Sequence, residues 1–118
     1  METERRKFKR LLPQGLTFAV IRPHFYNLGK VKDISLGGMA YEYILNETQN
    51  KGYAEIDIFL SADSFYLPRI PSKIIFDTNI SEEYQIVETR RCGLKFNDLA
   101  PEQTSQLEHF LQNYTKGK

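Results

Sequence analysis

The chain has 118 residues, of which 41% are hydrophobic and 13% aromatic, so its composition predicts one folded domain and excludes wholesale disorder. Its net charge of +1 gives no general preference for nucleic acid. No apolar run approaches the roughly 20 residues of a membrane helix, and the single cysteine excludes an internal disulfide and a cysteine-based zinc site. We therefore expect a soluble, cytoplasmic protein without membrane insertion.

The basic charge is concentrated near the N-terminus. Two glutamates there face five basic residues: Arg5, Arg6, Lys7, Lys9 and Arg10. These like charges repel one another and the segment is too polar to pack alone, so residues 1–15 are predicted to form a flexible basic segment that binds ligand. Residues 1–10 should become ordered when a ligand neutralises them. A short cationic cluster on a neutral body suits a compact anionic ligand.

Residues 16–118 are predicted to form a single β-barrel domain. Apolar residues alternate with their neighbours around Leu16–Val20 and Ala54–Leu60, and this period of two is typical of strands. Turn-forming residues separate four further β-rich runs: Tyr26–Ile34, Met39–Ile44, Phe65–Phe76 and Tyr84–Phe96. These six runs predict a small antiparallel barrel.

Prolines and a change of period mark the second half of the chain. Pro68 and Pro71 cannot donate ladder hydrogen bonds, so they place the fifth run at an edge, a bulge or a bend. After Pro101, apolar residues recur at the spacing of one helical face: Leu107, Phe110, Leu111 and Tyr114. We expect this helix to seal the barrel and residues 115–118 to be frayed.

Two short patterns carry the candidate chemistry. Arg6 and Arg10 form R-x-x-x-R in the basic segment, and the run DISLGG follows between two predicted strands, with four residues of interest: Asp33, Ser35, Gly37 and Gly38. An arginine fork engages the O6 and N7 acceptors of guanine, and a carboxylate accepts from its N1–H and N2–H₂ donors. Phosphate oxygens attract further arginines.

Each pattern alone has a simpler interpretation. The arginines resemble any solvated basic tail. Asp and Ser commonly cap turns through the backbone, and glycine supplies positive φ there.

Together and in this order, the patterns resemble the hallmark of the PilZ family, R-x-x-x-R followed by [D/N]-x-S-x-x-G. The segment GLKF at residues 93–96 resembles the family's G-x-x-F ending before a final helix. The resemblance covers essentially the whole chain. It implies a six-stranded antiparallel β-barrel with a C-terminal α-helix that binds the second messenger cyclic di-GMP and needs no cofactor.

The resemblance also assigns roles to residues. It implies that Arg6 and Arg10 grip guanine and phosphate, while Asp33, Ser35 and Gly38 recognise the base. Gly37 and Gly38 would let a flat ligand approach the backbone. In the family, an arginine at the position of Arg5 tends to accompany a stacked dimer of cyclic di-GMP, so Arg5 predicts two ligands per chain.

The family implies a receptor and no enzyme. Ligand occupancy would pass to an unknown downstream protein through the ordered N-terminal segment, with motility, exopolysaccharide synthesis in biofilms and secretion all open as outputs. Neither a metal site nor a nucleophile is expected, because no spaced constellation forms among His24, His109 and Cys92. The carboxylates of Asp63, Glu82 and Glu83 lie in polar turns and are interpreted as solvating.

Two alternatives remain open. The first is a small barrel that binds RNA or single-stranded DNA with its basic arm and aromatic residues. The clustering of basic residues at one end, instead of along a groove, makes nucleic acid the weaker candidate. The second is a PilZ-like protein–protein adaptor without ligand binding, against which the intact arginine pair argues.

Overall fold

The computed structural model describes residues 8–22, 26–46, 48–60 and 65–117. These residues form a closed barrel with two added short strands and one helix. Its elements in chain order are Leu11–Pro13 (β1), Thr17–Ile21 (β2), Tyr26–Ile34 (β3), Gly38–Ile44 (β4), Tyr53–Leu60 (β5), Tyr66–Asn79 (β6), Thr89–Phe96 (β7), Pro101–Asn113 (α1) and Thr115–Gly117 (β8).

The six longer strands make the barrel. They lie in the order β2-β5-β6-β7-β4-β3, and β3 pairs back with β2 to close the sheet on itself. The described strand pairings are antiparallel. The predicted six-stranded antiparallel barrel with a C-terminal helix is therefore confirmed.

The alternation in the sequence identifies β5 better than β2. Ile56, Ile58 and Leu60 of β5 point into the core, as their period predicts. In β2 the core side chains include Ala19, while the more exposed Phe18 packs against Phe59 of β5, with ring centroids 5.8 Å apart. A neighbouring aromatic ring thus covers an apolar side chain on the outer face, which a period alone does not reveal.

Strand β6 contains a bulge where the prolines predict one. The register of the β5–β6 pair moves from Ile56↔Ile70 to Ile58↔Leu67, so Asp57 faces two residues of β6. One of these, Arg69, has a φ of 57°, a left-handed conformation that is uncommon for a residue with a side chain. The extra residue turns its N–H toward Asp57, which accepts it at 2.9 Å.

Helix α1 seals the barrel, as its apolar stripe predicts. It begins at Pro101, and Leu107 and Phe110 are buried. Phe110 packs against the rings of Phe65 and Tyr114, at centroid distances of 5.1 and 5.8 Å. Among the residues that the structure describes, no helix is long and apolar enough to cross a membrane.

Two boundaries differ from the predictions. Residues 115–117 are not frayed, because they form β8, which pairs with β1 from the other end of the chain. The last barrel strand begins at Thr89 and not at Tyr84, and Tyr84 and Ile86 are exposed in the connection between β6 and β7. Both errors arise because local sequence does not show whether a partner strand is present.

A polar network lies in the buried interior. The side-chain amide of Asn50 donates to the Tyr41 hydroxyl at 2.8 Å and to the Cys92 sulfur at 3.5 Å, and accepts from Asn27 at 2.9 Å. Burial raises the pKa of the Cys92 thiol to about 12. The network satisfies polar groups that would otherwise be costly to bury.

Candidate ligand-binding site

The turn between β3 and β4 is built by Ser35 and two glycines. The Ser35 N–H donates to the carbonyl of Gly38 at 2.8 Å, and the Gly37 N–H donates to the Ser35 hydroxyl at 3.0 Å. Ser35 therefore caps the turn. The simpler interpretation, that these glycines supply positive φ, does not apply, since the only described glycine with positive φ is Gly52.

Close approach explains these glycines instead. A Cβ atom on Gly38 would overlap the carbonyl oxygen of Leu94 in β7. A Cβ atom on Gly37 would lie 2.9 Å from the ring of Phe8, which rests on this turn. Both positions thus keep the backbone open to a neighbouring group, which is also what a flat ligand needs.

Arg10 and Asp33 form an ion pair beside this turn. Strand β1 pairs with β3 at Leu11↔Ile34, and this places Arg10, the residue before β1, next to the end of β3. A guanidinium nitrogen of Arg10, Nη1, donates to Oδ1 of Asp33 at 2.6 Å. Asp33 is only 6% exposed, so the pair lies in a partly desolvated position.

A second arginine, Arg91 of β7, which the motifs in the sequence do not include, lies near the same carboxylate. Arg91 lies opposite Glu42 of β4 and donates to it at 2.9 Å, and Nη2 of Arg91 is 3.6 Å from Oδ2 of Asp33. In the sequence, Arg91 is marked only as a charged residue inside a predicted strand, two positions before Gly93. The pairing of β7 with β4 is a long-range contact that spacing does not show.

A groove with a volume of about 310 Å³ lies beside these groups. Its lining comes from the N-terminal segment, the β3–β4 turn and strands β6 and β7: Phe8, Arg10, Ser35, Gly37, Gly38, Ile75, Phe76, Gly93, Leu94 and Lys95. The volume is at the lower end of the roughly 300–1,000 Å³ of small-molecule sites. Aromatic and backbone surfaces inside the groove, with cations among its lining, suit a flat base that carries phosphates.

The structure therefore brings together five of the seven predicted site residues. Arg10, Ser35, Gly37 and Gly38 line the groove, and Asp33 is bound to Arg10. The other two, Arg5 and Arg6, lie outside the described residues. Phe8, Phe76, Lys95 and Arg91 are additional residues of the groove or its edge.

The remaining candidate residues in the described part of the chain form no metal site. Within the described ranges, no group of three or more His, Cys, Asp and Glu side chains could hold a metal ion. Glu82 and Glu83 are exposed in the β6–β7 connection, where the side chain of Gln85 accepts from the Glu82 N–H. His24 and Asp63 lie outside the described residues.

Comparisons with solved structures show the same fold. The PilZ domain of YcgR from Escherichia coli with c-di-GMP has a TM-score of 0.63 at 16% identity, and the match covers 94% of this chain and 92% of that chain. YcgR in complex with c-di-GMP from Escherichia coli has a TM-score of 0.64 at 20% identity, with coverages of 93% and 46%. The Bacillus subtilis inhibitor of motility, MotI/DgrA, has a TM-score of 0.64 at 15% identity, with coverages of 95% and 52%.

This protein spans about half the length of the last two chains. No curated relative matches its sequence significantly. The family model described as PilZ domain matches residues 4–113. Because that match covers nearly the whole sequence, the protein belongs to the PilZ domain family.

Proposed function

We propose that this protein is a receptor for cyclic di-GMP, without catalytic activity, that reports ligand occupancy to a separate protein. PilZ domains form a family of ligand-binding receptor domains. One observation carries the proposal: Arg10, Ser35 and Gly38 line a single groove, with Asp33 bound to Arg10 at 2.6 Å, although these residues come from different parts of the chain.

The groups at the groove match both parts of the ligand. The Asp33 carboxylate would accept the N1–H and N2–H₂ donors of guanine, and the Ser35 hydroxyl would add a contact to the base. The Arg10 fork would take the guanine O6 and N7 or a phosphate oxygen. The rings of Phe8 and Phe76 offer surfaces for stacking.

Binding would proceed by exchange of partners. Arg10 and Asp33 hold each other, so a ligand with phosphates and guanine donors replaces one ion pair with two sets of charge-assisted hydrogen bonds. Arg6 and Arg5 would join the ligand from the N-terminal segment. The ordering of that segment costs conformational entropy, which is subtracted from the contact energy.

The ordered segment is the proposed signal. It would present a new surface to the downstream protein, and a receptor for an intracellular second messenger would act in the cytoplasm. The Bacillus subtilis relative is an inhibitor of motility, which favours motility over exopolysaccharide synthesis or secretion as the output. The partner itself would be identified by cross-linking with and without ligand.

Isothermal titration calorimetry with cyclic di-GMP, GMP and single-stranded oligonucleotides at two salt concentrations tests the proposal. Saturable binding of cyclic di-GMP that is tighter than that of GMP supports it. Affinity for cyclic di-GMP no better than for GMP would overturn it. Oligonucleotide binding that weakens steeply with salt would favour the nucleic-acid alternative instead, and no binding of any of these would favour the adaptor.

The stoichiometry is a separate part of the proposal. Two stacked ligands bring four phosphates and four guanine bases into one site, and a third guanidinium from Arg5 can stack on a base and neutralise a phosphate. We expect the titration to saturate near two ligands per chain and Arg5→Leu to shift it toward one. A wild-type plateau at one would defeat this part and leave the receptor proposal intact.

A further inference from the structure

The two oxygens of the Asp33 carboxylate face different arginines. Oδ1 accepts from Arg10 at 2.6 Å, and Oδ2 lies 3.6 Å from Nη2 of Arg91. The other terminal nitrogen of Arg91 donates to Glu42 at 2.9 Å. Four side chains of alternating charge therefore run from the N-terminal segment across β3 to β7 and β4.

The two arginines are held in different ways. Arg10 precedes the three-residue strand β1, at the edge of the groove. Arg91 lies within β7, which pairs with β4 on one side and β6 on the other. The backbone of Arg91 is therefore held by strand pairing on both sides, and its side chain by Glu42. Arg10 lies beside a strand of only three residues, so it is better placed to move.

The difference in how Arg10 and Arg91 are held becomes important when a ligand binds. When Arg10 turns to the ligand, the Asp33 carboxylate loses its short bond to Arg10. A carboxylate that is 6% exposed is strongly disfavoured without a cation nearby. Arg91 can keep the carboxylate charged and aligned while Arg10 turns to the ligand.

We propose that Arg91, held by Glu42, positions the Asp33 carboxylate for guanine and thereby sets the preference of the groove for guanine over adenine. This inference rests on the proposed function, since it takes cyclic di-GMP as the ligand. Adenine carries an acceptor at N1 where guanine carries a donor, so a carboxylate fixed in place attracts guanine and repels adenine. Arg91 acts through Asp33 and is a positioning residue.

Calorimetry with cyclic di-GMP and cyclic di-AMP on the wild type and Arg91→Ala tests the inference. We expect Arg91→Ala to weaken cyclic di-GMP about tenfold, the effect of one lost charge-assisted contact, and to leave the weak binding of cyclic di-AMP unchanged. Arg91→Lys should restore part of the selectivity. Lys51→Ala, which removes the same charge from an exposed loop outside the groove lining, should bind like the wild type.

A double-mutant cycle with Asp33→Asn separates positioning from direct contact. If Arg91 acts through Asp33, then Arg91→Ala should cost little once Asp33 is already replaced. Equal losses in both backgrounds would overturn the inference, as would Arg91→Ala with wild-type affinity and selectivity. A wild type that does not bind cyclic di-GMP would overturn the proposed function together with this inference.

Discussion

Two buried aspartates, each bound to an arginine, differ in the groups that hold them. Asp57 accepts from the Arg22 Nε at 2.9 Å, the Tyr66 hydroxyl at 2.8 Å and the backbone N–H of Arg69 at 2.9 Å. Asp33 faces the ends of two long arginine side chains beside a groove. A carboxylate tied to a backbone bulge fixes the fold, while one held by side-chain ends can exchange its partner for a ligand.

The electrostatics of Asp57 agree with a structural role. Burial by itself raises the pKa of this carboxyl group, but the hydrogen bonds from Arg69, Arg22 and Tyr66 together outweigh it, and the net pKa is below its ordinary value. The charged form is thus the one that the folded state prefers. Removal of its partners or of its charge should therefore act on stability.

The largest effect is expected from Asp57→Ala. It removes the acceptor that Arg22, Tyr66 and the Arg69 N–H share, so the free energy of unfolding should fall by about 3 kcal/mol, the upper end of the cost of leaving buried donors unsatisfied. Urea denaturation measures this, and cyclic di-GMP affinity should stay near that of the wild type where the variant is folded. A loss below about 1 kcal/mol would show that the cluster at the bulge is dispensable.

Replacement of Arg10 or Asp33 should weaken ligand binding and leave stability nearly unchanged. Arg10→Ala and Asp33→Ala should each weaken cyclic di-GMP binding by about 1–3 kcal/mol, roughly five- to 150-fold, with little change in melting temperature. Lys51→Ala is the matched control, because Lys51 is exposed, lies outside the N-terminal segment and does not line the groove. If Asp33→Ala instead lowered the melting temperature severely and left the affinity unchanged, Asp33 would serve the turn and not the ligand.

Low pH should remove the contribution of Asp57 to the stability of the fold. Because its pKa is lower in the folded than in the unfolded state, the unfolded chain binds more protons as the pH falls below about 4. Its contribution to stability is therefore full above that pH and is lost as the pH falls toward the folded pKa. Urea denaturation at neutral and acidic pH should show a smaller acid loss for Asp57→Asn than for the wild type, and equal losses would contradict this assignment.

The smallest effect concerns the segment before β1. Hydrogen exchange at Lys9 and Arg10 should slow when cyclic di-GMP binds, since the ligand orders this segment. Leu12 should change less, because it already pairs with Lys116 of β8 without ligand. Equal protection at Lys9 and Arg10 with and without ligand would contradict the ordering.

Local pattern was sufficient for much of this architecture. Alternation and turn residues predict the barrel strands, and the stripe ending at Tyr114 predicts the sealing helix. The order of Arg10, Asp33 and Ser35 predicts a joint site because the family resemblance supplies what spacing does not. The site residues Arg5 and Arg6 stay predictions.

What the sequence misses depends on distant partners. Strand β8 exists because β1 lies beside it, and the outward side chain of Phe18 depends on Phe59 in another strand. Arg91 belongs to the site only because β7 lies next to β4. No periodicity within a strand records such contacts, so these features need the three-dimensional structure.

The buried thiol of Cys92 provides a chemical probe for the opening of the barrel. Cys92 is inaccessible and its pKa is about 12, so thiol reagents should not modify the closed protein. Modification requires β7 to separate from its neighbours, and the labelling rate then reports the free energy of that separation. Because Cys92 is the single cysteine of the chain, one modification rate reports this opening, and its measurement with and without ligand would show whether occupancy of the groove changes it.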